Sequence, residues 1–295
     1  MADSVMSGRL TRLAAIALFS LAMPVAALAA SRACPGSLAR ALPERAAGAP
    51  QGSEVMAGLM QSSGPARDAA VAREVLSGNV PRFLRNLVPV TFSGKGASGA
   101  HVLITLCVTP GYLAVGGDRD YVRVPMGLAA AARIADELGF LLPTPRMVDA
   151  IYEQAAARVA PAPMKPGSQM SSTAYLLQHN ATLEQQRSKA GHSRALLTAG
   201  EKKDIVLTNR LRSHPGKVAI YGWHRPNGKP IQPLSTVHGA SYADYSHGVR
   251  LVSQTAYVDG EARPLAEIMR DSALAPIVSS EGPISDVQQL MAGLF

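Results

Sequence analysis

Residues 88–108 read VPVTFSGKGASGAHVLITLCV, and this stretch decides the expected fold. Val88, Val90 and Phe92 alternate with other residues, which is the period-two pattern of a strand with one buried face. The second half, HVLITLCV, is almost continuously apolar and indicates a buried strand. The central GKGASG has the composition of a turn. It lacks the GxxxxGK[ST] spacing of a phosphate-binding loop, so the segment predicts strands around a glycine-rich turn and no nucleotide site.

The rest of the chain supplies further strands and a central helical region. Strand-like segments are expected at residues 112–118, 204–208, 217–222 and 249–258. Helices are expected within 53–87, over 127–138, from Thr144, from Ser171 or Ser172, and over 264–269, with a docking segment over 287–295. Thr144 is a good N-cap, and Pro145 after it suits the first helical position.

These patterns predict an α+β protein with a largely antiparallel sheet and a central helical segment. A single large domain is expected over residues 53–295, helix-rich over 53–200 and strand-rich over 201–295. Residues 30–52, rich in Ala, Pro and Gly, are expected to form an extended lead-in.

The first residues have the order of a bacterial export signal. Arg9 and Arg12 precede an apolar run over residues 13–22, and an A-x-A element follows at residues 27–29. This order predicts a secretory signal peptide over residues 1–29, removed on export. The alternative is an N-terminal membrane anchor. No later segment reaches the roughly 18 consecutive apolar residues of a spanning helix, so the mature chain is expected to be periplasmic or secreted.

The charge balance narrows the class of partner. Lys and Arg number 29 against 21 Asp and Glu, for a net charge of +8. The cations are scattered, without the basic runs interleaved with aromatic residues that bind nucleic acid, so nucleic acid is not an expected partner. An anionic cell-envelope or extracellular polymer suits this charge better.

The two cysteines allow two interpretations. In an oxidising compartment, Cys34 and Cys107 predict one disulfide that ties the N-terminal segment to the core. The alternative is a thiol nucleophile at Cys107. Cys107 lies in the apolar HVLITLCV run, and burial raises the pKa of a thiol and weakens it as a nucleophile.

Residues 221–250 hold the densest set of chemically active side chains. Five of the seven histidines lie between residues 192 and 247. This stretch also carries the one tryptophan, Trp223, and three of the eight tyrosines. Loops at the edge of a sheet are common places for binding and catalytic residues, so the stretch is the candidate site.

The candidate catalytic residues are His238, Asp244, His247 and His224. In one interpretation Asp244 orients His238 or His247 as a general base for a water or a hydroxyl such as that of Ser246. His224 follows an apolar strand and is expected to project into the 225–238 loop. The candidate substrate-binding residues are Trp223, Tyr242, Tyr245 and Arg250, with Arg250 placed to hold an anionic group.

A second interpretation makes His238, Asp244 and His247 the ligands of a divalent metal such as zinc. Ser235-x2-His238-x5-Asp244 resembles in outline the Ser-x-His-x6-Asp element of zinc peptidases that trim bacterial peptidoglycan peptides. The resemblance covers about ten residues. Both spacings differ from that pattern, and no histidine follows His247.

The leading hypothesis is therefore an exported hydrolase of a cell-envelope or extracellular polymer. The alternative is a non-catalytic envelope protein that binds glycan or peptide through an aromatic groove of Trp223, Tyr242 and Tyr245. The same stretch could also be purely structural. GxSxG, HExxH, CxxC and GxxxxGK[ST] are absent, which argues against the common serine hydrolases, zincins, redox proteins and P-loop nucleotide enzymes.

Overall fold

The computed structural model describes Met1, Cys34, Leu38 and residues 41–293. The predicted signal peptide and much of the predicted lead-in lie outside the described residues. Over residues 42–51 the lead-in has neither helix nor strand, but it is packed onto the domain. The Arg45 guanidinium donates hydrogen bonds to the Ala49 carbonyl and the Asn79 side chain.

The described strands are β1 (Val88–Lys95), β2 (His101–Val108), β3 (Ala114–Gly116), β4 (Tyr121–Arg123), β5 (Phe140–Leu141), β6 (Ala157–Arg158), β7 (Thr198–Ala199), β8 (Lys203–Ile205), β9 (Ile220–His224), β10 (Pro230–Ser235), β11 (His247–Gly248), β12 (Val252–Val258) and β13 (Glu261–Pro264). The described α-helices are α1 (Gly52–Ala57), α2 (Gly64–Leu76), α3 (Leu128–Glu137), α4 (Pro145–Gln154), α5 (Thr173–Lys189), α6 (Leu265–Arg270), α7 (Ala275–Val278) and α8 (Val287–Ala292).

The main sheet has the order β1-β2-β12-β13, with β5 paired to β12, and every pairing in it is antiparallel. Strands β1 and β2 form the hairpin expected from residues 88–108, in a register that pairs Val88 with Val108. Val90 and Phe92 are buried, as their alternation requires. The α+β class with a largely antiparallel sheet in one domain is confirmed.

A second sheet of order β10-β9-β8-β11 carries the candidate site. Its pairings are antiparallel except that β11 runs parallel to β8. Strand β10 lies inside residues 225–238, which the sequence predicted as a loop. Pro230 and Pro233 interrupt the alternating pattern there, and β10 tolerates them because it is an edge strand whose outer N–H groups need no partner in the sheet.

The helical predictions of the middle third are confirmed. Helix α3 spans Leu128–Glu137 and buries the small apolar face expected of it. Helix α4 begins at Pro145, with Thr144 as N-cap accepting a hydrogen bond from the Met147 N–H at 3.2 Å. Ser172 caps α5 in the same manner. These caps fix where each helix begins because they satisfy backbone donors that have no partner inside the helix.

A disulfide joins Cys34 to Cys107 across a sequence separation of 73, with the two Cα atoms 5.5 Å apart. This pairing confirms the disulfide prediction and replaces the alternative of a nucleophilic Cys107, because a disulfide sulfur carries no thiol. Among the described residues, no helix has both the length and the apolar character needed to cross a bilayer.

Candidate functional site

The structure divides the predicted catalytic residues into two groups. His238, Asp244 and His247 lie together beside Tyr242, next to strand β11. The His238 and Tyr242 rings stack with centroids 4.2 Å apart, and the His238 and His247 centroids are 6.4 Å apart. His224, at the end of β9, is instead hydrogen-bonded to Asp149 of α4.

Asp244 is the centre of the first group. Its Oδ1 accepts hydrogen bonds from the Ser246 N–H at 2.7 Å and the Ser246 hydroxyl at 2.5 Å, and its Oδ2 accepts one from Tyr242 at 3.3 Å. Burial alone would raise the pKa of Asp244. The Lys203 charge and the Ser246 hydrogen bonds oppose burial and lower it, as does His247 whenever its ring is protonated. Asp244 is therefore ionised near neutral pH.

His247 is fully buried, and neither ring nitrogen has a hydrogen-bond partner in the described structure. Burial lowers the pKa of His247 to about 4, although the Asp244 carboxylate opposes this shift. The imidazole is therefore neutral near pH 7. His247 lines neither of the two cavities described below.

The metal interpretation lacks its geometric basis. No group of three or more His, Cys, Asp or Glu side chains among the described residues is placed to hold a metal ion. His238 stacks flat on Tyr242, and Asp244 directs its oxygens to Ser246 and Tyr242. The donor set predicted for zinc, His238 with Asp244 and His247, does not converge on a common point.

The predicted aromatic groove is also not formed, because two of its three rings belong to the core. Trp223 and Tyr245 are 5% and 2% exposed. The Trp223 indole N–H donates to the Glu201 carbonyl, and the Tyr245 hydroxyl accepts from the Met164 N–H. Tyr242 alone is half-buried. These rings therefore cannot form an aromatic surface on which a sugar could stack.

Arg250 has a structural role in place of the predicted substrate contact. It has no exposed surface. Its guanidinium donates to the backbone carbonyls of Thr109 at 2.9 Å and Thr198 at 2.7 Å. A cation held in this way joins the end of β2 to β7 inside the core and cannot reach an anionic ligand outside.

His224 belongs to a second, open arrangement, the β9–α4 cleft. Its Nε2 lies 2.9 Å from Asp149 Oδ1, and its ring stacks on Tyr152 at a centroid distance of 4.6 Å. The Tyr221 hydroxyl donates to the same Asp149 carboxylate at 2.9 Å. Because the carboxylate can only accept, Nε2 carries the proton, and Nδ1 is the basic nitrogen of the neutral ring.

The β9–α4 cleft has a volume of about 430 Å³. Its lining comprises Asp149, Tyr152, Glu153, Arg158, Tyr221, His224, the turn residues Pro226, Asn227 and Gly228, and Pro230 at the start of β10. This volume falls within the range of small-ligand sites. Asp149 is 42% exposed in the cleft while His224 behind it is 3% exposed. The cleft therefore presents the Asp149 and Glu153 carboxylates and the Arg158 guanidinium to solvent, with His224 directly behind Asp149.

The backbone that delivers His224 to the cleft is strained. Trp223 has φ of 58° and Gly222 has φ of 105°, so two consecutive residues of β9 adopt left-handed conformations. For a large side chain such as Trp223 this conformation costs on the order of 1–3 kcal/mol and is concentrated at functional positions. At Gly222 an added Cβ would lie 3.1 Å from Val148 of α4. Because Gly222 has no side chain, β9 and α4 can approach each other closely at this position.

Arg158 is held at the cleft by the end of α4. Its Nε donates to the Tyr152 carbonyl at 3.1 Å, and its Nη2 donates to the Glu153 carbonyl at 2.5 Å. The Tyr152 hydroxyl donates to the Arg225 carbonyl at 2.7 Å and ties α4 to the turn after β9. The cleft therefore has walls fixed by hydrogen bonds on both sides.

The sequence did not indicate Asp149, Glu153 or Arg158 as site residues. The one available signal was helical spacing, since Asp149 and Glu153 lie four residues apart on one face of a helix that the pattern did predict. The partner of that face, His224, lies 75 residues further along the chain.

No protein-family model, curated protein or solved structure matches this chain.

Proposed function

We propose that this protein is an exported hydrolase of a cell-envelope or extracellular polymer, with Asp149 and His224 as its acid–base pair. The observation that carries the proposal is the 2.9 Å hydrogen bond between His224 Nε2 and Asp149 in an open cleft of about 430 Å³. A histidine oriented by a carboxylate is the arrangement with which enzymes activate water or a hydroxyl.

In this mechanism Asp149 holds the proton of His224 on Nε2 and stabilises the imidazolium when Nδ1 takes a proton from water. The Tyr221 hydroxyl, bonded to the same carboxylate, keeps Asp149 in position. Arg158 places a positive charge at the cleft, where it can bind an anionic group of the polymer or the charge that develops during hydrolysis. The protonated His224 can then return this proton to the leaving group, and Glu153, on the same helix, places a second carboxylate at the cleft.

Export is supported by two independent features. The order of charged residues, apolar run and A-x-A element predicts a signal peptide over residues 1–29. The Cys34–Cys107 disulfide is compatible with an oxidising compartment outside the cytosol. The net charge of +8 suits a polymer that carries phosphate or carboxylate groups.

The test uses purified peptidoglycan sacculi as the probe, with release of reducing ends and of free amino groups measured separately. Asp149→Asn and His224→Gln are each expected to lower the rate by about a hundredfold or more, the usual contribution of a general base. Glu137→Gln, at an exposed carboxylate of α3 away from the cleft, is the matched control and is expected to leave the rate unchanged.

A set of His238→Ala and His247→Gln variants distinguishes the two histidine groups. If these variants abolish hydrolysis while Asp149→Asn does not, catalysis belongs to the Asp244 group and our assignment is wrong. If the protein binds sacculi and releases neither product, the non-catalytic binding alternative replaces the hydrolase proposal.

A further inference from the structure

A second cavity, distinct from the β9–α4 cleft, lies between α2 and α3. Its volume is about 330 Å³. Alanine side chains of both helices form much of its wall, and Ala240 and Ser241 close one side. Two charged residues line it, Asp68 of α2 and Arg133 of α3. We call it the Asp68 cavity.

Asp68 is the unusual member of this lining. It is 5% exposed. Its Oδ2 accepts a hydrogen bond from the Gly127 N–H at 2.8 Å, while its Oδ1 has no hydrogen-bond partner in the described structure. Burial raises the pKa of Asp68, against the opposing effects of the Gly127 hydrogen bond and the Arg67 charge. A buried carboxylate with few donors around it is costly, so Asp68 favours a ligand that donates to its carboxylate.

Arg133 supplies the opposite charge. Its Nε donates to Glu137 Oε1 at 2.6 Å. In the described part of the chain its two terminal nitrogens make no hydrogen bond, and 61% of its side chain is exposed. A guanidinium with both terminal nitrogens unused can bind a carboxylate with two parallel hydrogen bonds.

We propose that the Asp68 cavity binds a small zwitterion, an α-amino acid with a short apolar side chain. The ammonium group of the ligand donates to the Asp68 carboxylate, the ligand's own carboxylate binds Arg133, and its side chain packs against the alanine wall. Asp68 and Arg133 each thereby meet an opposite charge of the ligand, and a cavity of about 330 Å³ has room for a molecule of this size. Neither charged residue belongs to the proposed hydrolytic cleft.

The experiment is calorimetric titration of the full protein with L-alanine, propylamine and propionate. L-Alanine is expected to bind saturably and at least tenfold more tightly than either singly charged analogue, because each analogue leaves one charge of the cavity unpaired. Asp68→Asn and Arg133→Gln are each expected to weaken L-alanine binding at least tenfold. Asp136→Asn, an exposed acidic residue of α3 outside this lining, is the charge-matched control and keeps full affinity.

The amide side chain of the Asp68→Asn variant retains an oxygen that can accept from the Gly127 N–H, so this variant is expected to fold. If it does not, the exposed Arg133→Gln variant still decides the matter. Absence of saturable binding, equal affinity for L-alanine and propylamine, or full affinity in Arg133→Gln would each overturn the proposal.

Discussion

Two histidines of this chain are held away from water, and their burial couples the free energy of unfolding to pH. Burial lowers the pKa of His247 to about 4 and that of His179 to about 2, with the charge of Lys202 adding to the shift of His179. An unfolded histidine titrates near pH 6.5. As the pH falls below 6.5, the unfolded chain gains protons that the folded chain does not, so stability that is complete above pH 6.5 is progressively lost.

We expect His247→Gln to reduce this loss. Between pH 7 and pH 5 the single site contributes roughly 2 kcal/mol of acid sensitivity, at about 1.36 kcal/mol per pH unit below the unfolded pKa. The measurement is the free energy of unfolding by urea at both pH values. His101→Gln, at an exposed histidine, is the control and should retain the full slope. An unchanged slope in His247→Gln would show that His247 is protonated in the folded protein.

At the scale of single residues, the sequence predicted only part of the candidate site. The concentration of aromatic and histidine side chains over residues 221–250 made this stretch the candidate site, but the same pattern is typical of a binding surface and of a buried core. Trp223 and Tyr245 proved to be buried, because their polar atoms find backbone partners inside the protein. Of the predicted catalytic residues, His224 lines the open β9–α4 cleft and the other three do not.

Among the secondary structure elements, α4 is the one on which the cleft depends. Its N-cap, Thr144, makes two hydrogen bonds: its hydroxyl accepts from the Met147 N–H and donates to the Val278 carbonyl at 2.6 Å. The second bond ties the start of α4 to α7. Thr144 is fully buried, so no solvent replaces either bond when the hydroxyl is lost.

Thr144→Ala is therefore expected to lower the free energy of unfolding by about 2–4 kcal/mol, the sum of a lost cap and an unsatisfied buried carbonyl. Ser172→Ala removes a cap from α5 with one capping bond and is expected to cost about 1 kcal/mol. Chemical denaturation of both variants gives the comparison. Equal losses would indicate that the bond to Val278 contributes nothing.

The same elements show why the fold was more predictable than the site. The β1–β2 hairpin, α3 and the start of α4 follow from patterns within twenty or so residues, which is the range over which periodicity and caps act. Strand β10 was not predicted because Pro230 and Pro233 interrupt the alternating pattern that indicates a strand. The contact between α4 and β9 joins distant parts of the chain, and no local pattern specifies which helix face meets which strand.

For the whole molecule, the disulfide is the covalent link between the N-terminal segment and the main sheet. It closes a loop with a sequence separation of 73. In the chain-entropy account, a loop of that length stabilises the folded state by roughly 4 kcal/mol, and measured values commonly fall between about 2 and 4.

Reductant is therefore expected to lower the melting temperature of the protein. Cys34→Ser is expected to start from the lower value and to show no response to reductant, and equal melting temperatures throughout would contradict this prediction.

The exposed turn between β1 and β2 lies inside the covalent loop. Lys95, at the end of β1, is exposed, as are the turn residues 97–100, so trypsin has a cleavage point there. Residue 95 lies between the two bridged cysteines, and a protein cut at this point keeps both pieces attached. The nicked chain would migrate as a single band on a non-reducing gel and separate into two fragments only after thiol treatment. The disulfide thus keeps the two fragments covalently linked after the backbone has been cut.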